Sequence, residues 1–246
     1  MKKTIFITGA TSGVGLLVAQ RCVAQGHTVY ATGRNASTLA ALQALGVQAI
    51  QADLRDIASL QKLYDVLPPL DVVIFSAGVG TFKTAATLTL EEIDAMLDVN
   101  VRAPMHIVRH VASSMPAGSQ FIFVGSQAGK VPTPKASVYA ATKFAIVGYV
   151  NGLRMELEKN GVIVSAIHPG PINTPFIDKA DQTGNYKQSL GRFILQPDTV
   201  ADEIMQLMET KKREVNLPRV MGISSKLYAL APALFEKVAK PFFEKK

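Results

Sequence analysis

Three side chains suited to acid and base catalysis lie close together in the sequence: Ser126, Tyr139 and Lys143. Tyr139 and Lys143 are four residues apart, about one turn of an α-helix, so a helix places a phenol and an ammonium on the same face. A phenol with a pKa of about 10 is a weak acid, and a neighbouring ammonium lowers that pKa by stabilising the charged form. Such a pair can exchange a proton with an oxygen that develops negative charge, while a serine hydroxyl holds that oxygen. The alternatives are a half-buried helix tyrosine and a serine that caps a helix or turn.

A glycine-rich turn follows the first apolar run, with Gly9, Gly13 and Gly15 inside residues 8–15. Because glycine has no side chain, backbone N–H groups can approach a pyrophosphate, and the positive end of the following helix favours its charge. Val14 lies within the same turn, and Ser12 supplies a hydroxyl for a further contact. This position after a first strand is typical of dinucleotide-binding proteins, and the alternative is a tight, closely packed turn.

The second apolar run ends at Gly33, Arg34 and Asn35, without an acidic residue. An acid at this point would bind both hydroxyls of the adenosine ribose and repel a 2′-phosphate, whereas the charged, planar fork of Arg34 attracts a phosphate. The sequence therefore predicts NADP(H) as the cofactor rather than NAD(H). The alternative for Arg34 is an ordinary solvated arginine.

The elements that must position these residues are short β-branched runs, each followed by a helical pattern. The runs cover residues 4–8, 28–32, 47–50, 72–75, 120–124 and 162–167, and residues 215–217 are a candidate last strand. Near-continuous apolar strands joined by segments of crossover length predict a parallel sheet covered on both faces. The expected fold class is α/β, a single doubly wound Rossmann-like domain over residues 1–246 with a central parallel sheet and helices on both faces.

Helix starts are predicted from periodicity and capping residues. They fall near Gly13, Ser37, Ile57, Thr89, Ser137 and Pro197. Thr89 with Glu92 three residues later matches a capping box. We find no repeat, low-complexity tract or linker that would divide the chain.

The net charge of +7 comes mainly from the C-terminal tail, because residues 211–246 hold nine Lys and Arg against three Asp and Glu. No basic face interleaved with aromatics accompanies it, which argues against a nucleic-acid partner. His106 and His110 have a metal-ligand spacing but lack a third ligand nearby, so no metal is predicted. Cys22, in an apolar helical run, is expected to be a buried structural thiol, and the short apolar stretch at the start indicates a cytoplasmic protein.

Six motifs in a fixed order resemble the short-chain dehydrogenase/reductase family. They are the glycine turn, Asp53-Leu54, Ser76-Ala77-Gly78, Asn100, Ser126 with Tyr139 and Lys143, and the run from Pro169 and Gly170 through Ile172 to Thr174. The resemblance covers roughly residues 4–174. It implies reversible carbonyl reduction or alcohol oxidation with a nicotinamide cofactor.

The resemblance also implies roles for individual residues. Asp53 and Leu54 would hold the adenine, and Ser76, Ala77 and Gly78 would line the cofactor, although Ser76 stands where the family usually has asparagine. Lys143 would bind the nicotinamide ribose, and Asn100 would support a water-linked proton path to it, the alternative being a bond to its own helix backbone. The loop carrying Pro169, Gly170, Ile172 and Thr174 would fix the carboxamide; the alternative is a Pro-Gly turn.

Two C-terminal segments complete the sequence-based predictions. Residues 175–197 are expected to form a substrate loop, whose apolar side chains indicate a hydrophobic substrate unless they pack on their own core. These side chains are Phe176, Ile177, Tyr186, Leu190, Phe193 and Ile194. The basic tail, residues 211–246, shows an amphipathic helical pattern that Pro232 and Pro241 should kink or end. It is predicted to cover the substrate pocket or a subunit interface, to lie on an anionic membrane, or to be a solvated end.

The sequence as a whole predicts an NADP(H)-dependent oxidoreductase acting on a small carbonyl or alcohol, assembled as a homodimer or homotetramer. The alternative is a protein that binds NADP(H) without turnover. Such a protein would be expected to have lost Tyr139 or Lys143, and both are present.

Overall fold

A computed structural model describes residues 2–191 and 194–243, so Phe193 lies outside the described residues. Within these ranges seven parallel strands form one sheet in the order β3-β2-β1-β4-β5-β6-β7. The strands are β1 Thr4–Thr8, β2 Thr28–Gly33, β3 Gln48–Gln51, β4 Val72–Phe75, β5 Gln120–Val124, β6 Ile163–Pro169 and β7 Glu214–Leu217. The α/β doubly wound fold expected from the sequence is thereby confirmed.

Eleven helices are described around this sheet. They are α1 Gly13–Ala24, α2 Ala36–Ala44, α3 Ile57–Tyr64, α4 Leu90–Leu97, α5 Ala103–Val111, α6 Ser137–Leu157, α7 Pro175–Ala180, α8 Asn185–Leu190, α9 Pro197–Thr210, α10 Arg219–Leu230 and α11 Pro232–Phe243. A π-helical segment, Asp98–Arg102, joins α4 to α5. Among the described residues, no helix is long and apolar enough to span a membrane.

Side chains that alternate along β1 divide the core into two layers. Ile5 and Ile7 pack on one face with α1 and α9, whereas Phe6 packs on the other face with α5 and α6. This two-residue period is the geometric property of an extended strand. Cys22 is fully buried in the first layer, and burial raises the pKa of its thiol to about 12, as expected of a structural cysteine.

Two details differ from the sequence-based predictions, and a third agrees with them. Residues 175–197, expected as a loop, contain the short helices α7 and α8, and a parallel bridge joins Ile172 to Leu195. The predicted break in the tail helix at Pro232 is confirmed, since α10 ends at Leu230 and α11 begins at Pro232, where the missing N–H is not needed. Pro241 does not end α11, which continues to Phe243, because a proline close to the last turn disturbs few helical bonds.

The capping box at the start of α4 is present. The Thr89 hydroxyl accepts a hydrogen bond from the Glu92 N–H at 3.2 Å, and the Glu92 carboxylate accepts one from the Thr89 N–H at 3.0 Å. Two backbone donors at the helix end are satisfied in this way.

We expect Thr89→Ala to lower the free energy of unfolding by about 0.5–2 kcal/mol, because the first turn of α4 loses its side-chain acceptor. Urea denaturation followed by circular dichroism measures the change. Thr89→Ser is the control, since it keeps the hydroxyl and should stay close to the parent. Equal losses in both variants would show that the methyl group, not the cap, matters.

Candidate active site

A cavity of about 660 Å³ opens at the carboxyl ends of the strands. Crossovers diverge between β1 and β4, the point where ligands bind in open α/β sheets. Most of the residues singled out in the sequence line it: Gly9, Ser12, Gly13, Val14, Arg34, Asp53, Leu54, Ser76, Ala77, Gly78, Ser126, Tyr139, Lys143, Pro169, Gly170, Ile172 and Thr174. Gly15 and Asn100 are not among the residues that line the cavity.

The glycine turn is a close-packed junction between β1 and β4. Gly9 has φ +71°, and a Cβ built there would lie 2.6 Å from the Ala77 Cα. A Cβ on Gly15 would lie 2.5 Å from the carbonyl oxygen of Gly9. Side chains at these two positions would push the strand ends apart, so the backbone cradle at the start of α1 depends on both glycines.

The corner at the end of β2 carries Arg34 and a residue that the sequence analysis missed. A Cβ on Gly33 would lie 2.4 Å from a methyl group of Thr11, so Thr11 packs directly against this strand end and lines the cavity. Thr11 lies inside the glycine turn, but the spacing of the glycines does not single it out, and its role follows from the approach of two strand ends.

Asp53 lines the same corner, but its carboxylate is paired with Arg55 at 2.6 Å. The hydrogen bond from Arg55 is the main cause that lowers the pKa of Asp53, and the charge of Arg34 adds to it. An adenine that bonds to this carboxylate therefore shares its oxygen atoms with Arg55.

Ser126 and Tyr139 meet at the inner end of the cavity. Their side chains are hydrogen-bonded, and the Ser126 hydroxyl also accepts the Ala128 N–H at 3.1 Å, so Ser126 caps the turn that follows β5. Tyr139 is only 8% exposed. Burial raises the pKa of Tyr139 to about 12, while the hydrogen bond with Ser126 lowers it in part.

The prediction that Lys143 lowers the pKa of Tyr139 is wrong for the protein's own groups. The Lys143 ammonium lies 5.8 Å from the centre of the Tyr139 ring. Desolvation of the phenol is the largest effect on the pKa of Tyr139. The protein alone therefore holds Tyr139 as a neutral phenol, which is a proton donor.

Lys143 is itself buried, with 5% of its surface exposed. Its Nζ donates a hydrogen bond to the Val124 carbonyl at 3.2 Å, and burial lowers the pKa of the ammonium to about 8. A Cβ on Gly78 would lie 3.6 Å from this Nζ and 3.6 Å from Asn100 Oδ1, so both polar groups flank the same backbone position.

Asn100 lies in the π-helical segment and is 2% exposed. Its Oδ1 accepts the Val79 N–H at 2.9 Å, and its Nδ2 donates to the Val79 carbonyl at 2.8 Å and to the Thr142 hydroxyl at 3.0 Å. The alternative of a bond to its own helix backbone is thus not what the structure shows. Asn100 fixes the loop after β4 against α6, and π-helical segments of this kind are frequent at functional sites.

The loop after β6 forms the opposite wall. The Gly170 N–H donates to the Leu217 carbonyl at 2.6 Å, and the Asn173 N–H donates to the Leu195 carbonyl at 2.8 Å. Thr174 is the N-cap of α7 and packs on Gly13, with its methyl group 3.1 Å from a Cβ built on that glycine. The Pro-Gly turn is therefore anchored to the sheet edge.

An aromatic wall stands beside Tyr139. Its ring lies 5.7 Å from Phe82 and 5.6 Å from Phe176, and Phe82 lies 5.0 Å from Tyr186, all between ring centres. The sequence analysis identified Phe176 and Tyr186 but missed Phe82, whose only signal is its place four residues after Gly78.

The C-terminal helices also reach the cavity. Met221 and Ser224 of α10, with Phe235 and Ala239 of α11, complete its lining. This position agrees with the alternative in which the tail covers the pocket.

Comparison with known proteins agrees with this architecture. A family model described as short chain dehydrogenase matches residues 3–185. The chain belongs to the short-chain dehydrogenase/reductase family of oxidoreductases.

Two relatives are 31% identical to this chain over the aligned residues. It is similar to the uncharacterized oxidoreductase YxnA of Bacillus subtilis strain 168, with 31% identity over 264 residues, 99% of this chain and 72% of the relative. It is also similar to a cyclic-di-GMP-binding biofilm dispersal mediator protein of Escherichia coli K12, with 31% identity over 176 residues, 70% of this chain and 74% of the relative. Among solved structures, a serine dehydrogenase complexed with NADP+ superposes with a TM-score of 0.80 at 27% identity, covering 87% of this chain and 94% of that one.

The buried ammonium of Lys143 makes the stability of the protein depend on pH. Its pKa of about 8 in the folded protein lies below the ordinary value of 10.5. Between these values the unfolded chain binds a proton that the folded chain has released, so the free energy of unfolding rises with pH. We expect Lys143→Met to lose this rise in urea titrations from about pH 8 to about pH 10.

Tyr139 keeps its proton over that interval, since its pKa is about 12. Lys62→Met is the matched control, because Lys62 is exposed on α3 and its removal should preserve the rise. Parallel stability profiles for the parent and Lys143→Met would contradict the effect assigned to burial.

Proposed function

We propose that this protein is an NADP(H)-dependent carbonyl reductase that acts on a hydrophobic small molecule. The observation that carries the proposal is that Ser126, Tyr139 and Lys143 line the same cavity as the glycine turn. Roles for the individual residues follow from their positions.

The lining fits an extended dinucleotide. The glycine turn at the start of α1 offers backbone N–H groups to a pyrophosphate, and Arg34 offers a charged fork to a 2′-phosphate. We assign Lys143 to the nicotinamide ribose, and the loop from Pro169 to Thr174 to the carboxamide. Bound NADPH supplies a hydride to the carbonyl carbon. The NADP+ complex of the related serine dehydrogenase supports this choice of cofactor.

Proton transfer is the task of the protein's own groups. As hydride arrives, negative charge develops on the substrate oxygen, which Ser126 and Tyr139 are placed to hold with hydrogen bonds. Tyr139 donates its proton to that oxygen, since burial keeps the phenol protonated. Lys143, with a pKa of about 8, can return a proton towards Tyr139, and Asn100 holds the loop beside it. This protonation state favours reduction over oxidation.

The aromatic wall indicates the class of substrate. Phe82, Phe176 and Tyr186 stand beside Tyr139, and Met221 and Phe235 close the far side. Apolar walls of this kind bind apolar groups through burial of surface, so a carbonyl on a hydrophobic skeleton fits better than a sugar.

A second candidate is a protein that binds NADP(H) without turnover. The observation that supports this candidate is that one relative is named for cyclic-di-GMP binding. The presence of Ser126, Tyr139 and Lys143 together favours turnover. NADPH oxidation across a panel of ketones, aldehydes and quinones separates the two, because tight NADPH binding with every member of the panel left unreduced would support the binding protein.

Assembly as a homodimer or homotetramer stays a prediction. Leu97, Phe144 and Met155 are 45%, 41% and 73% exposed on α4 and α6, an apolar surface of the kind that a second copy buries.

We expect Tyr139→Phe to lower kcat by about 10²–10⁴-fold, because the proton donor is lost while the ring is kept. Affinity for NADPH should change little, which fluorescence titration measures. Tyr149→Phe is the matched control, since Tyr149 lies on the same helix but packs on Phe123. A parent-like kcat in Tyr139→Phe would assign the proton to another group.

We expect Arg34→Asp to lower the ratio of kcat/KM for NADPH over NADH by about 10- to 100-fold, since a charged hydrogen bond to the 2′-phosphate is replaced by repulsion. Arg34→Lys keeps the charge without the planar fork and should give an intermediate ratio. An unchanged ratio in Arg34→Asp would remove Arg34 from cofactor selection.

A further inference from the structure

The two C-terminal helices carry an outward row of aliphatic side chains, here called the tail face. It consists of Val220, Ile223, Leu227, Leu230, Leu234 and Val238, which are between 56% and 83% exposed. Their spacings of three and four residues place them along one side of each helix. Single exposed aliphatics are common on proteins, but six along two successive helices form a patch.

Basic residues accompany the tail face. Arg219 and Lys226 lie at its edge on α10, because positions 219, 223, 226, 227 and 230 follow one another around the same side of a helix. Lys237 and Lys240 are likewise exposed on α11. The two helices together hold four Lys and Arg against one acid, Glu236, so they are positive.

α10 and α11 are held together. The Tyr228 ring meets the Phe235 ring edge to face at 5.6 Å, and the Tyr228 hydroxyl donates to the Glu236 carboxylate at 3.0 Å. These contacts hold the two helices against each other.

The opposite side of these helices lines the cavity. Met221, Ser224, Phe235 and Ala239 face inward, while the tail face points outward. A single layer of helix therefore separates the cavity from whatever the tail face contacts.

We propose that the tail face docks on an anionic lipid surface and brings the cavity next to the bilayer, from which a hydrophobic substrate can enter. Aliphatic side chains flanked by lysine and arginine are the composition that binds such surfaces, through burial of the apolar side and attraction of the basic side. The docking does not depend on the proposed function, whereas the entry of a substrate does rest on the proposed function.

A second copy of the chain is the competing occupant of the tail face. In a two-fold contact the same patch meets itself, so the positive segments of both copies would face each other and repel. An anionic lipid surface instead complements that charge. The charge of the segment therefore favours lipid.

Vesicle flotation tests the docking. The full-length protein is mixed with vesicles of phosphatidylcholine alone, or of phosphatidylcholine with phosphatidylglycerol in equal parts. We expect flotation with the anionic vesicles that weakens with salt and with the loss of anionic lipid. The double variant Ile223→Asp with Leu227→Asp should lower the bound-to-free ratio by about tenfold or more, because two apolar contacts are replaced by charges that the lipid repels.

Ile57→Asp is the matched control. Ile57 and Ile223 are both 63% exposed, but Ile57 lies at the start of α3, where an acid is tolerated. This variant should float like the parent. The proposal would be overturned if the parent did not float with anionic vesicles. It would also be overturned if the α10 double variant floated as well as the parent.

Two further measurements separate this proposal from its alternatives. If the tail face is a contact between copies, the α10 double variant changes the elution volume in size-exclusion chromatography while the parent stays off the vesicles, which overturns lipid docking. NADPH oxidation with a water-soluble ketone tests the proposed function by itself, and the α10 double variant should retain it. Flotation without turnover would refute the reductase and leave the docking supported.

Discussion

The burial of a phenol and an ammonium one helical turn apart is the constraint on which this structure depends. Tyr139 and Lys143 are 8% and 5% exposed, and groups of this kind are costly to remove from water unless partners replace it. The chain supplies Ser126 to the phenol and the Val124 carbonyl to the ammonium. Both partners come from the end of β5, so α6 must pack directly against that strand end. Gly129 permits this approach, since a Cβ there would lie 2.6 Å from the Lys143 carbonyl oxygen.

Elements dominated by one kind of local pattern could be predicted from the sequence. The bounds of β1, β4 and β5 agree with the apolar runs, and α4 follows the Thr89 cap as expected, because buried parallel strands and capped helices carry their signals locally. The bounds of β2, β3, β6 and β7 differ from the predicted runs by one or two residues, and α7 and α8 were missed within the predicted loop. Such short elements are specified by neighbours such as the Ile172 to Leu195 bridge, which the sequence does not display.

The residues of the candidate site differ in the same way, because some carry a local signal in the sequence and others do not. Residues that belong to motifs, such as Gly9 and Tyr139, could be found by type and spacing. Phe82 could not, because it joins the site only through contacts with distant segments, and the glycine spacing did not single out Thr11 within its turn. The direction of the Tyr139 pKa was also missed, since counting charged neighbours along a helix ignores desolvation, and desolvation depends on everything that covers the ring.

Different parts of the chain form the part of the cavity that the family shares and the part that belongs to this protein. The family match ends at residue 185 and includes the glycine turn, Ser126, Tyr139 and Lys143. Tyr186, Met221 and Phe235 lie beyond it and close the side of the cavity away from the glycine turn. Cofactor binding and proton transfer need backbone cradles and fixed donors, which a sheet edge provides in the same form each time. Substrate choice needs a wall of particular shape, and in the proposed function α10 and α11 supply part of that wall through Met221 and Phe235. A contact on the outer side of these helices is therefore one helix away from two of the residues proposed to select the substrate.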